Sequence, residues 1–277
     1  MNLKTKKQMQ QEYVLGTHDA ELARLGLQHQ LWLAQSARGW EKAGFARGQK
    51  ILDVGCGPGY ATVDLSQLVG GTGQIVGVDM SRRFLDHVET QARARGVRNI
   101  VTIQHNLENK RDLGARFDGA YARWVFCFLK KPVVLIQALA QSLRSGAALL
   151  IHDYYQYEAL WVAPDDPIFR KVFKAVAQSW RMRGGNPNIG SVLPACLLRH
   201  GFEIREINPI VRLARASEPL WQWPDSFFAI YVPALVSMRL LTARDAKQFF
   251  RVWKQRSGDP GSFFSTPPMV EIIAIKK

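Results

Sequence analysis

The sequence predicts an α/β fold: a mostly parallel sheet of seven strands with helices on both faces, a helical cap ahead of it and a helical lid inserted before the last strand. Three observations predict it. From Ile51 onward, short apolar runs alternate with helical patterns. The first of those runs leads into glycines at alternate positions, Gly55, Gly57 and Gly59, before a helix begins at Tyr60. An aromatic, irregular stretch over residues 213–256 is more chain than a bare sheet of this kind needs.

In chain order, residues 1–12 are polar and are expected to fray. Leu22, Leu25, Leu27, Leu31 and Trp32 fall at helical spacing between Asp19 and about Ala34, and a second short helix is expected from Ser36 to Ala43. Strands follow at Ile51–Val54, at the run from Gln74 to Asp79 and at Ile100–Ile103, with a helix from Ser81 to Gly96 between the last two. Phe117 opens the fourth strand. Lys131-Pro132 starts a helix with proline in its first turn, and Ala147–Ile151 is the fifth strand. Glu158 to about Gly184 reads as mostly helical, and Leu193 to His200 as a short helix ended by Gly201. Phe202–Ile207 alternates as a strand, Ala243–Arg256 is an amphipathic helix, and Met269–Ile275 closes the sheet. The expected organisation is one domain overall: a cap over residues 1–48, a ligand-binding core over 49–155, and the rest of the sheet with its lid over 156–277.

Composition narrows the function. Of 277 residues, 47% are apolar and 22% charged, an ordinary globular balance. The net charge of +14 is spread out: 8 basic against 4 acidic side chains in residues 1–50, 12 against 8 in 51–150, and 17 against 11 in 151–277. Such a diffuse excess reads as solvated surface rather than as a nucleic-acid footprint. Cys56, Cys127 and Cys196 form no C-x-x-C pair, which points to reduced thiols and a cytoplasmic setting. No histidine spacing suggests a metal, and no apolar run is long enough to span a bilayer.

The chemistry concentrates where the first two strands end. The spacing Gly55-x-Gly57-x-Gly59 is one residue short of the dinucleotide fingerprint, and Asp53 stands two positions before the first glycine. A carboxylate there is a poor neighbour for a pyrophosphate and suits a ligand bearing ammonium and sulfonium charge. A second acid, Asp79, ends the next strand 20 positions after Gly59, placed to accept from ribose hydroxyls, and Ser81 caps the helix beyond it.

Asp53 to Gly59, taken with Asp79, resembles motif I and the strand-two acid of the class I S-adenosylmethionine (SAM) dependent methyltransferases. The closer likeness is to the bacterial small-molecule, ubiquinone/menaquinone-methyltransferase-like type. The resemblance implies a Rossmann-like fold, SAM as cofactor and S-adenosylhomocysteine as product. It implies cofactor contacts from Asp53, Gly55, Cys56, Gly57 and Gly59, and from Asp79 and Met80. Asn106 and Leu107 follow strand three, where the family holds the adenine edge; Asn106 stands where Asp is commoner. The segments around Tyr13 and His29 look like the family's closing cap, so Tyr13 is assigned to the cofactor and His29 to the acceptor. A packing role for Tyr13 and a wet helix face for His29 are the alternatives. At the end of strand four, Arg123 is a cofactor candidate and Trp124 a pocket wall.

After strand five come His152, Asp153, Tyr154 and Tyr155. Only alternate side chains can face one crevice. His152 is the general-base candidate by intrinsic pKa, Tyr154 the second catalytic candidate and Tyr155 an acceptor contact.

The implied reaction moves a methyl group to an O, N or C atom of a small, aromatic or apolar molecule, by a monomer or homodimer. An RNA or protein methyltransferase and a non-catalytic SAM-binding partner are the alternatives. Against the nucleic-acid reading, the stretch after strand four is Arg123-Trp124-Val125-Phe126, with no N/D-P-P-Y/F/W run.

Overall fold

Period-two alternation along each strand gives the sheet two apolar faces, and the architecture follows from covering both. The computed structural model describes residues 17–109, 113–114 and 116–277. In chain order it contains α1 (Asp19–Ala43), β1 (Lys50–Val54), α2 (Tyr60–Val69), β2 (Gln74–Asp79), α3 (Arg82–Ala94), β3 (Ile100–Gln104) and β4 (Phe117–Arg123). Then come α4 (Pro132–Ser142), β5 (Leu143–Tyr154), β6 (Trp161–Ala163), α5 (Pro167–Met182), α6 (Leu193–Arg199) and β7 (Phe202–Ile210). The chain ends with β8 (Leu213–Arg215), α7 (Gln222–Ser237), α8 (Ala243–Ser257), β9 (Phe263–Ser265) and β10 (Met269–Lys276).

Among the described residues the main sheet has seven strands in the order β3-β2-β1-β4-β5-β10-β7. Neighbours pair in parallel except β10, which runs antiparallel to β5 and β7. Ile51, Ile75, Tyr121, Leu150 and Ile273 bury one face together with Trp40 and Phe45. Their sequence neighbours Leu52, Val76, Ala120, Leu149 and Ile272 bury the other. The order reverses between β1 and β4, so both carboxyl ends open on one crevice, the usual place for a ligand in an open α/β sheet.

The cap helix departs from the sequence expectation. Instead of two helices there is one, running through Gly39 to a left-handed Gly44 (φ 78°). A Cβ on Gly39 would lie 2.9 Å from His152 Nε2 and 3.0 Å from Glu271 Oε2, so the small residue lets α1 lie on the sheet. Gly to Ala inside a helix ordinarily stabilises by about 1 kcal/mol. Here the sign is expected to invert: Gly39→Ala should lower the urea midpoint, costing about 1–3 kcal/mol of overpacking. A raised midpoint would mean that the His152–Glu271 contact yields freely.

The lid also differs. Sequence reading placed one insertion before the last strand; the structure has two, β6 with α5 ahead of β7, and β8, α7, α8 and β9 between β7 and β10. Strands β6, β9 and β8 pair antiparallel into a separate small sheet that ties the insertions together. Three-residue strands carry too little alternation to be recognised by period. α7 continues through Pro233 because Phe228, Tyr231, Val232 and Leu235 are all buried on it, offsetting a proline penalty of about 3 kcal/mol. Among the described residues no helix is long and apolar enough to cross a membrane.

Candidate active site

The crevice is built around the turn that leaves β1. Gly55, Gly57 and Gly59 all have left-handed backbones (φ 63°, 54° and 80°), open to glycine at little cost. The turn is pinned from the next strand. Gly57 N–H donates to Asp79 Oδ2 (2.9 Å) and Ser81 N–H to Asp79 Oδ1 (2.8 Å). Each carboxylate oxygen can accept more than one hydrogen bond, so the same acid can organise the loop and meet a ligand hydroxyl.

Asp53 and Gly59 stand behind this wall rather than in it. Asp53 is buried below the turn, where its Oδ2 accepts from Thr62 Oγ1–H (2.6 Å). Burial pushes its carboxyl up to about 6, against the Thr62 hydrogen bond and the charge of Arg123. A Cβ on Gly59 would sit 2.4 Å from Val88 Cγ2, so that glycine serves the packing of α2 on α3. Both were assigned direct cofactor contacts from the motif. Neither borders the cavity, and both shape the loop that does.

A cavity of about 1010 Å³ opens over the strand ends. Gly55, Cys56, Gly57, Asp79, Met80, Asn106 and Leu107 border one end of it. Asn106 Oδ1 accepts from Glu108 N–H (2.9 Å), which holds the turn after β3 in place. The same cavity continues past Arg123, Trp124, His29 and Tyr154. Arg123 Nη1–H donates to Ser36 Oγ (2.8 Å), and Nη2–H donates to His29 Nδ1 (3.1 Å). The imidazole then carries its proton on Nε2 and donates to Asp64 Oδ2 (2.7 Å). Burial lowers the His29 pKa, so it stays neutral and brackets α2 to β4 with both nitrogens occupied.

Trp124 adopts φ 54°, a left-handed backbone costing on the order of 1–2 kcal/mol for a side chain of this size. Its N–H donates to His152 O (2.9 Å) and its indole Nε1–H to Met269 Sδ (3.0 Å). That conformation starts a ladder of rings along the cavity. Trp124 stacks with Trp223 (5.9 Å) and Tyr154 (6.3 Å), Tyr154 tilts onto Trp180 (5.8 Å), and Trp180 meets Phe128 edge-on (4.9 Å).

Two of the expected roles fail on geometry. His152 shares a sheet face with Tyr154 but lies two residues, about 7 Å, deeper. It is covered by Gly39 and Tyr121, and its Nε2 is 3.0 Å from Glu271 Oε2. Burial lowers its pKa, and it does not border the cavity, so a general-base role has no geometric basis. Tyr155 falls on the opposite face, where a Cβ on Gly190 would lie 3.1 Å from its own Cβ, and it is likewise off the cavity. Tyr154 does border it, but burial pushes its phenol well above the ordinary range; it can donate a hydrogen bond and not accept a proton. Tyr13 lies outside the described residues.

Sequence reading missed a polar cluster on α1. Arg24 Nε–H and Nη2–H donate to Glu21 Oε2 (2.7 Å) and Oε1 (2.6 Å), a buried bidentate pair on the cavity wall. Gln28 Oε1 accepts from Arg24 Nη1–H (3.3 Å) and from Trp223 Nε1–H (2.9 Å), joining the cap to the lid. Spacing at i, i+3 and i+7 shows that the three share a helix face, but charge on a face ordinarily signals solvent.

Known proteins share the fold described above. Residues 51–146 match the methyltransferase domain family. The sheet over that stretch has the fold of the class I SAM-dependent methyltransferases. The demethylmenaquinone methyltransferase of Lactococcus lactis is 35% identical over 79 residues, 28% of this chain and 30% of that protein. The chain spans less than two thirds of the length of the curated relatives it matches. Two solved structures share the methyltransferase architecture. A putative methyltransferase from Bacillus halodurans superposes with a TM-score of 0.58 at 18% identity, covering 87% of this chain and 97% of that one. The geranyl diphosphate C-methyltransferase of Streptomyces coelicolor gives 0.57 at 16%, covering 90% and 77%.

Proposed function

We propose that the chain transfers a methyl group from SAM to an O, N or C atom of a small, aromatic or apolar molecule. One observation carries the reading: a single cavity joins the bare glycine backbone and Asp79 to the aromatic ladder beyond Trp124. When bound, SAM supplies an electrophilic methyl on a sulfonium that is already a good leaving group. Asp79 and the Gly55–Gly57 backbone suit its ribose and amino-acid tail, and Met80 and Leu107 offer apolar surface to the adenine. Arg123 is a guanidinium held by the neutral His29 and Ser36, which leaves its charge for the tail carboxylate. The residues around the acceptor orient it and exclude water, which accounts for rate without a protein base. The relatives named above support methyl transfer to small molecules.

Isothermal titration calorimetry with S-adenosylhomocysteine tests the reading. Saturable 1:1 binding is expected, with none for a nicotinamide dinucleotide. Binding of the dinucleotide in its place would refute the assignment.

A further inference from the structure

We infer that the methyl acceptor is an amphiphilic anion, an aromatic or apolar body with its acid group held outward at Lys130 and Arg183. This deepens the methyl-transfer reading and rests on it. The aromatic ladder runs from Trp124 through Tyr154 and Trp180 to Phe128, each ring within 6.3 Å of the next. Phe128 is 41% exposed and Met182, on the same cavity, 67% exposed, so the ladder ends at an open, apolar mouth.

The cations of that mouth are Lys130 and Arg183, both exposed and both on the cavity. They lie together: a Cβ on Gly184, the neighbour of Arg183, would come within 2.5 Å of Lys130 Cγ. The nearby carboxylates, Glu158 and the cavity-lining Glu108, have partners other than the Lys130 and Arg183 side chains. Glu158 pairs with Arg181 (2.6 Å), and Glu108 Oε1 accepts from the backbone N–H of Lys130 (2.5 Å) and Lys131 (3.2 Å). Among the described residues no carboxylate pairs with Lys130 or Arg183. Deeper in, Arg24 is neutralised by Glu21. The guanidinium of Arg123, 5.0 Å from the Trp124 ring centroid and held by Ser36 and His29, is the charge assigned above to the cofactor's carboxylate, which leaves the acceptor mainly rings in the inner chamber. An anionic group is therefore favoured at the mouth and an apolar one inside.

The test uses two fluorescent probes with the same ring system, 1-anilinonaphthalene-8-sulfonate and the neutral N-phenyl-1-naphthylamine. Both are titrated into the full chain with S-adenosylhomocysteine present. The probes should displace each other, and the sulfonate should bind about tenfold tighter, as expected for two exposed cations acting on one anion at close range. The double variant Lys130→Gln/Arg183→Gln should lose that preference while keeping its affinity for the neutral probe and for S-adenosylhomocysteine. Equal affinities in the unaltered chain, no mutual displacement, or a preference retained in the variant would overturn the inference alone. Absence of S-adenosylhomocysteine binding would overturn the methyl-transfer reading and this inference with it.

Discussion

Asp79→Ala is expected to weaken S-adenosylhomocysteine binding about 10- to 100-fold, read by calorimetry, with a parallel loss of methyl transfer. The carboxylate accepts from Gly57 N–H and Ser81 N–H, and hydrogen bonds to a charged acceptor contribute about 1.5–3 kcal/mol each. On the function proposed above, removing it strips the ribose of an acceptor; it also unpins the turn that Asp79 holds at Gly57 and Ser81. Asp79→Asn keeps one acceptor oxygen and should lose less. An Ala variant that binds as tightly as the unaltered chain would contradict both roles.

Glu271→Ala is expected to be the most destabilising single change, by about 3–5 kcal/mol in urea unfolding at pH 7. Glu271 is fully buried and sits in register with His152 on β5 and Asn208 on β7. Its Oε1 accepts from Lys42 Nζ–H (2.9 Å) and Asn208 Nδ2–H (3.2 Å), while Oε2 meets His152 Nε2 (3.0 Å). Burial pushes this carboxyl up, but the hydrogen bonds from His152 and Lys42 outweigh it and hold the pKa at about 2. A depressed carboxyl stabilises fully above its unfolded value near 4.5 and loses that contribution as pH falls towards 2. The stability gap between the unaltered chain and Glu271→Gln should therefore close by about 3 kcal/mol over that interval. A gap that stays constant from pH 7 to pH 3 would show that the ionised form is not what the network holds.

Both variants act on residues of different legibility. The position of Asp79 beside the glycine turn was readable because its signal is local: a strand ends and an acid follows at a set distance from the glycines. Glu271 was not, since its partners lie 229, 119 and 63 residues away along the chain and nothing near it in sequence marks it. His152 was hidden for the same reason. Its pKa class and its place near a strand end suggested a base, yet one strand repeat of depth and the cap helix above it made it part of the buried network. Trp124 was legible as pocket wall, but its left-handed backbone was not, because no residue-type preference announces a strained indole.

By itself, the sequence determined the alternation of strands and helices, the two-faced sheet, the glycine turn and the acid that pins it. Each of these follows from backbone geometry and side-chain periodicity over short spans. Tertiary structure alone decided which of those side chains share a cavity. That depended on where α1 lies against β5, on a small sheet made of three-residue strands, and on a row of rings drawn from the segment after β4, from β5, from α5 and from the lid. Those contacts are set by packing between distant segments, and packing between distant segments leaves no period in the chain.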